Sequence, residues 1–282
     1  MKPSHDPIEI ALKEDIGEGD VTSEFFVPES VQAAARIVAR EKAVVAGTQT
    51  AAEVFRRVDP STQVDIIRSD SVEVSPNESV LEIRGFARSI LKAERVALNF
   101  LQHLCGVATL TRQFVDAAGT DQLKILDTRK TTPGLRALEK KAVVAGGGSN
   151  HRFGLDDMVL VKDNHLMCLS DPIRFAEVVR QVRANRPGMR IEVEADDLRQ
   201  VRAILKAADV DLILLDNMRP SSLREAVALG KGKNVKFEAS GGVTLKNIRV
   251  IAATGVDFVS IGALTHSVKA IDLSLEITNV GT

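Results

Sequence analysis

Ile125-Leu126-Asp127-Thr128-Arg129-Lys130-Thr131-Thr132-Pro133-Gly134 is the stretch whose reading decides the fold of this chain. A short apolar run ends in two adjacent cations, and the sequence then turns towards a helix. Pro133 suits a first helical position, with Thr132 before it as the cap, because that position needs no backbone N–H and tolerates a fixed φ. Arg129 and Lys130 then stand at the carboxyl end of a strand, where α/β enzymes hold their chemistry. Taken alone, an Arg-Lys pair after a strand reads as a solvated charge pair. What raises it to a candidate site is that the arrangement recurs along the chain with different chemistry each time.

From residue 124 onward, apolar strands of about five residues alternate with amphipathic helices, a pattern of repeated βα units on a parallel sheet. The strands are expected at 124–128, 158–162, 190–194, 212–216, 235–239 and 257–261. Helices are expected at 133–144, 172–185, 198–208, 221–229 and 245–254. Six units in about 140 residues fall short of a closed eight-stranded barrel, which takes about 250, so an incomplete α/β barrel is predicted.

The residues before this region have another rhythm. A short helix at 8–15 leads into Gly17-Glu18-Gly19-Asp20-Val21-Thr22, which reads as a loop. It is not a dinucleotide fingerprint, since no third glycine follows at the right offset and no strand precedes it. β-rich runs lie at 34–39 and 64–68, with a helix between them at 47–57. Two more, at 71–74 and 79–84, flank the turn Pro76-Asn77-Glu78. This front part is expected to be an α+β domain with an antiparallel sheet. Apolar residues at helical spacing predict a helix over 89–104, a second over 108–117, and a break at Gly106. Arg95 lies in the first of these next to Glu94, which by pattern alone is a surface ion pair. The tail, 267–282, shows no further strand-then-helix unit and is expected to pack back on the front domain. The domains are thus 1–106 with that tail, and 107–266.

Composition narrows the function. A net charge of -1 leaves no electrostatic footprint for nucleic acid. With no Trp or Tyr there is little surface for stacking bases. Cys105 and Cys168 are the two cysteines, too few for a disulfide framework, which fits a reducing compartment. The polar amino end lacks an apolar signal segment and no run approaches a membrane span, so the cytoplasm is the expected location.

The strand ends form a sorted series: Thr128-Arg129-Lys130, Lys162-Asp163-Asn164-His165, Glu194, Asp216-Asn217, Ser240-Gly241-Gly242 and Gly262-Ala263. Cations come first, carboxylates in the middle and small residues last. Loops after late barrel strands commonly hold phosphate. Gly241 and Gly242 let a backbone approach closely, and Thr244 can cap the helix that follows. Glu194 and Asp216 suit a divalent cation or a sugar with developing positive charge, although strand-end acids also pair with lysines as structural ion pairs. Glu192 points the same way as Glu194, and pattern alone does not rank the two. Gly146-Gly147-Gly148 is either a linker or a loop that folds over a ligand, with His151 and Arg152 just beyond it. Arg129, Lys130, His151, Arg152 and Lys162 gathered together would repel one another unless an anionic ligand relieved them. No zinc spacing, Walker loop or nucleophile elbow is present.

In combination these motifs resemble the quinolinate phosphoribosyltransferase family over nearly the whole chain. The matching stretches are Asp127 to Gly134, Gly146 to Arg152, Leu160 to His165, Glu192-Val193-Glu194, Leu215-Asp216-Asn217, Ser240-Gly241-Gly242 and Gly262 to His266. Glu14-Asp15 with Gly19 to Thr22, and Glu94 to Asn99, belong to the same pattern. Ala145 departs from it, where many members carry Cys, at a position without assigned chemistry. The resemblance implies a type II phosphoribosyltransferase-like fold, with an α+β domain joined to an incomplete barrel. It implies a homodimer or hexamer and Mg2+ as the metal. It also implies transfer of phosphoribosyl from its pyrophosphate to quinolinate with loss of carbon dioxide, giving nicotinate mononucleotide for NAD biosynthesis. By the same resemblance Thr128, Arg129, His151, Arg152 and Lys162 bind quinolinate, and Arg95 is donated by the neighbouring subunit. Lys130 lies between the ligands. Glu194 and Asp216 serve ribose and metal, while Ser240, Gly241, Gly242, Ile261, Gly262 and Ala263 cradle phosphate. Lys130, Lys162, Glu194 and Asp216 are the expected catalytic residues. Other readings are a related transferase acting on another pyridine acid, a Schiff-base aldolase using Lys130 or Lys162, and a non-catalytic ligand-binding module.

Overall fold

The computed structural model describes residues 6–169, 174–207 and 209–281. The chain forms two compact units, one of residues 6–112, 131–147 and 263–281, the other of 113–130 and 148–262. In chain order the elements are α1 (Pro7–Ile16), α2 (Val21–Phe26), β1 (Gln32–Ala39), β2 (Ala43–Val44), α3 (Thr48–Val58), β3 (Gln63–Ile66), β4 (Glu73–Val74), β5 (Ser79–Phe86) and α4 (Ala87–Ala118). There follow β6 (Lys124–Leu126), α5 (Arg136–Ala145), β7 (Val159–Val161), α6 (Asp163–Cys168), α7 (Arg174–Asn185), β8 (Ile191–Ala195), α8 (Leu198–Ala207), β9 (Leu212–Asp216) and α9 (Pro220–Leu229). The last are β10 (Lys236–Ser240), α10 (Ile248–Ala252), β11 (Phe258–Ser260), α11 (Ala263–His266) and β12 (Leu273–Gly281). Positions 172, 173 and 208, expected at helix ends, lie outside the described residues.

The first unit is built on an antiparallel sheet of order β12-β1-β5-β3. Ile37, Leu81 and Ile83 from its strands, Phe55 of α3 and Ile90, Leu98 and Leu101 of α4 are fully buried in one apolar core. The carboxyl-terminal strand β12 pairs with β1 along its length. The runs around Pro76-Asn77-Glu78 do not form one hairpin, because β4 pairs with β2 while β5 pairs with β1 and β3.

Three local expectations are corrected here. Gly106 does not break a helix: α4 runs unbroken for 32 residues. A Cβ at Gly106 would sit 2.3 Å from the carbonyl oxygen of Lys269, so this glycine serves the close approach of another backbone segment. Pro133 does not start α5. Residues 132 to 135 make a turn, with the Leu135 N–H donating to the Thr132 carbonyl at 3.0 Å, and the helix begins at Arg136. Glu139 reaches back instead, its Oε2 accepting the Thr132 N–H at 3.1 Å while Oε1 meets His103 Nε2 at 2.8 Å. Asp20 to Thr22 is not all loop either, since Asp20 caps α2 by accepting the Ser23 N–H. The helix after β6 belongs to the first unit, where Leu135 and Leu138 pack against its core.

The second unit holds one six-stranded sheet of order β6-β11-β10-β9-β8-β7, and every neighbouring pair is parallel. The first strand thus joins the last, as in a barrel, and the ring is open between β6 and β7. Beside the open edge, Ser149 bridges to Leu126, with its N–H donating to Ile125 O at 2.8 Å. The sheet curls round an interior, because His151 just past this bridge meets acids from both β8 and β10. Strands buried on both faces need near-continuous apolar runs, which Leu212 to Leu215 supply.

Candidate active site

All six strands run the same way, so the residues that follow them emerge at one rim of the second unit. Thr128 lies just past β6, and its hydroxyl accepts the Lys130 N–H at 3.0 Å, turning the chain there. Arg129 is half-buried and Lys130 exposed. The Arg152 side chain comes from the loop beyond Ser149 and is 7% exposed. Its guanidinium donates to the Met158 carbonyl at 3.0 Å and enters no ion pair among the described residues. Burial, and next the Arg129 charge, hold its pKa below the usual guanidinium range. Two arginines that repel each other, one of them buried, leave a place suited to an anion.

Lys162 follows β7. Its N–H donates to His165 Nδ1 at 2.9 Å at the start of α6, and its ammonium pairs with Glu194 Oε2 at 2.7 Å. Glu194, Asp196 and Asp216 end β8 and β9, and each places a carboxylate oxygen within 4.8 Å of the others. Asp196 was not singled out from sequence. Its signal was present two residues past Glu194. Hard carboxylate oxygens in this arrangement suit a divalent cation of the magnesium or calcium type.

Beyond β10, Gly241 and Gly242 both take left-handed φ, +86° and +61°. A Cβ at Gly241 would lie 2.1 Å from Asn217 Oδ1, whereas one at Gly242 would meet nothing within 4 Å. The first glycine therefore makes room for Asn217, whose amide donates to Asp216 Oδ2 at 2.7 Å. The second presents bare backbone to open space. Thr244 is not the cap of the next helix, which starts at Ile248 after Asn247. Asn247 Oδ1 accepts the Thr244 N–H at 2.8 Å and closes the turn. Ile261 is buried and Gly262 half-buried past β11. Ala263 opens α11, and Arg95 is exposed on α4; both belong to the first unit.

The structure ranks the two acids of β8. Glu194 stands at the rim, while Glu192 lies one layer deeper and wholly buried, 3.1 Å from His151 Nε2. Glu238 of β10, fully buried and 3.5 Å from the same nitrogen, was not marked by the sequence reading. The available signal was an ionisable residue in the middle of a strand expected to be apolar. Asp127, also fully buried, accepts the His151 N–H at 2.9 Å. Among the described residues no helix is long and apolar enough to cross a membrane.

Comparison with known proteins agrees with this layout. Residues 20–105 match the family model for the quinolinate phosphoribosyl transferase N-terminal domain, and residues 107–276 match that for its C-terminal domain. A Nicotiana tabacum protein named quinolinate phosphoribosyltransferase [decarboxylating] 1b is 42% identical over 286 residues, covering 96% of this chain and 81% of its own. An Oryza sativa subsp. japonica protein named nicotinate-nucleotide pyrophosphorylase [carboxylating], chloroplastic, is 42% identical over 96% of this chain and 76% of its own. The solved nicotinate-nucleotide pyrophosphorylase from Francisella tularensis superposes with a TM-score of 0.89 at 38% identity, covering 96% of this chain and 94% of its own. An antiparallel α+β unit, an open six-stranded α/β ring, and matches that span both are together decisive: the chain belongs to the quinolinate phosphoribosyltransferase family.

Proposed function

We propose that this protein transfers phosphoribosyl from phosphoribosyl pyrophosphate to quinolinate and releases carbon dioxide, giving nicotinate mononucleotide and pyrophosphate. The observation that carries the reading is Arg152, a buried guanidinium beside Arg129 that donates to the Met158 carbonyl and enters no ion pair among the described residues. Quinolinate offers two carboxylates on adjacent ring carbons, and planar guanidinium forks match such groups. Arg129, Arg152 and Lys162, with Thr128 and His151 beside them, form the diacid side. Arg95 completes it from a neighbouring subunit in a homodimer or hexamer.

Glu194, Asp216, Ser240, Gly241, Gly242, Ile261, Gly262 and Ala263 form the donor side, with Lys130 between the two. Mg2+ fits the carboxylates of Glu194 and Asp216, and when bound it neutralises charge on the departing pyrophosphate. The ring nitrogen attacks the sugar's anomeric carbon as the bond to pyrophosphate breaks. Lys130 and Lys162 offset the negative charge that shifts during this step. The nitrogen now carries positive charge, so the ring accepts the electron pair left when the adjacent carboxylate departs as carbon dioxide. That ring carbon then takes a proton. We assign catalysis to the second unit, residues 113–130 and 148–262, and place the enzyme in the cytoplasm.

Purified protein with quinolinate, phosphoribosyl pyrophosphate and magnesium should yield nicotinate mononucleotide, pyrophosphate and carbon dioxide in equal amounts. Nicotinate turned over as well as quinolinate, without carbon dioxide, would refute the assignment. Borohydride trapping of a keto substrate on Lys130 or Lys162 would point to an aldolase instead.

A further inference from the structure

Glu192 and Glu238 have no part in the chemistry above, yet both are carboxylic acids inside the second unit. Each is wholly buried. Their strands lie on either side of β9, and their carboxyls meet His151 inside the curled sheet. The Glu238 carboxyl also meets the side chains of Ser260 and Glu192. One side-chain ligand atom from each of His151, Glu192 and Glu238 lies within 4.8 Å of the others. Burial first, and the Glu192 charge next, push the Glu238 carboxyl up to about 8, so it keeps its proton at neutral pH.

The His151 ring has no freedom left. The Arg152 backbone N–H lies 2.7 Å from Nδ1 and can only donate, so Nδ1 carries no proton. The ring proton is therefore on Nε2, facing Glu192 at 3.1 Å. The backbone N–H of His151 itself donates to Asp127. Both ring nitrogens and the backbone at this residue are held by protein groups, and the next residue is Arg152. Its guanidinium donates to the Met158 carbonyl, is repelled by Arg129 and is drawn the other way by the Glu192 and Asp157 charges.

We propose that Glu192 and Glu238 are positioning residues for the diacid subsite, which fix the His151 ring and through it the backbone that aims Arg152. This rests on the diacid reading above and refines the place of His151, which works by holding Arg152.

The test compares Glu238→Gln and Glu238→Leu with the wild type in steady-state kinetics for both substrates. The Gln amide can donate to Glu192 as the protonated acid does, so its quinolinate KM should stay within about threefold of wild type. Leu cannot, and should raise quinolinate KM at least about tenfold while the donor's KM stays within about threefold. Equal rises in both KM values, an unchanged quinolinate KM in the Leu variant, or failure of the Gln variant to preserve it would each overturn the proposal. Should the Leu variant not fold, nitrogen NMR of labelled histidines in the wild type gives an independent answer, with the His151 signal assigned by its loss in His151→Gln. The neutral Nε2–H form is expected, and an imidazolium or Nδ1–H form would overturn the proposal. Stoichiometric zinc or manganese lost on Glu238→Gln would overturn it too, making the trio a metal site. Absence of quinolinate turnover by the wild type would instead refute the function and leave the histidine tautomer as a separate result.

Discussion

Replacing Arg152 by Met separates what this residue does for binding from what it does for folding. The stem's apolar packing is kept, while the charge and the fork are lost. In the unliganded protein the change removes one charged hydrogen bond to the Met158 carbonyl, of order 1.5–3 kcal/mol. It also removes a buried cation that Arg129 repels and Glu192 and Asp157 attract, whose desolvation costs several kcal/mol. These two effects have opposite signs and similar size, so stability should change by no more than about 2 kcal/mol. Binding has no such offset. A diacid that loses its buried guanidinium partner loses about 2–5 kcal/mol, or roughly 30-fold to several-thousand-fold in Kd. Calorimetric titration with quinolinate, alongside urea unfolding of the same variant, reads both quantities. A quinolinate Kd within about threefold of wild type would refute the reasoning, and so would a large loss of stability with unchanged affinity.

Three further outcomes follow from the local geometry. Gly106→Ala should destabilise the protein by about 1–3 kcal/mol, because the added methyl meets the Lys269 carbonyl oxygen at 2.3 Å; helix propensity alone predicts a gain of about 1 kcal/mol, so the sign of the shift in urea midpoint decides. Gly241→Ala should cost about 1–2 kcal/mol for its left-handed φ, more through the clash with Asn217, and should raise the KM of phosphoribosyl pyrophosphate above that of quinolinate; equal effects on both substrates would remove Gly241 from the donor side. Glu238 has a folded value of about 8, above that of an unfolded glutamate near 4.3, so the folded state binds the extra proton between them. Unfolding free energy therefore falls as pH rises through that window, by at most about 1.4 kcal/mol per pH unit, and levels off above 8. Subtracting the Glu238→Gln curve should isolate this slope, and identical curves would show that Glu238 is ionised in the fold.

The second unit was legible because its strands are short apolar runs ending in chemistry. Leu212 to Asp216 was read with its observed ends, and the other strands within a few residues. The front sheet was legible as a set of strands but not in its pairing, since nothing local tells Ser79 to Phe86 to pair with β1 and β3 rather than β4. Gly106 was misread because a glycine inside a helical pattern looks the same whether it breaks the helix or admits another backbone. The start of α5 was missed because Thr132 and Pro133 carry the residue types of a cap, while Glu139 captures the Thr132 N–H from seven residues away. At the site, the rim residues were marked by their strand ends. Glu238 and Asp127 were not, because an interior acid is recognisable only once the curl of the sheet brings partners to it.

The central claim is that a positive wall centred on the buried Arg152 receives a diacid in the second unit. A crystal structure with quinolinate bound tests it most directly. The account predicts the two adjacent carboxylates within about 3 Å of the Arg129 and Arg152 guanidinium nitrogens. Quinolinate bound elsewhere, with Arg152 still donating to the Met158 carbonyl alone, would contradict it.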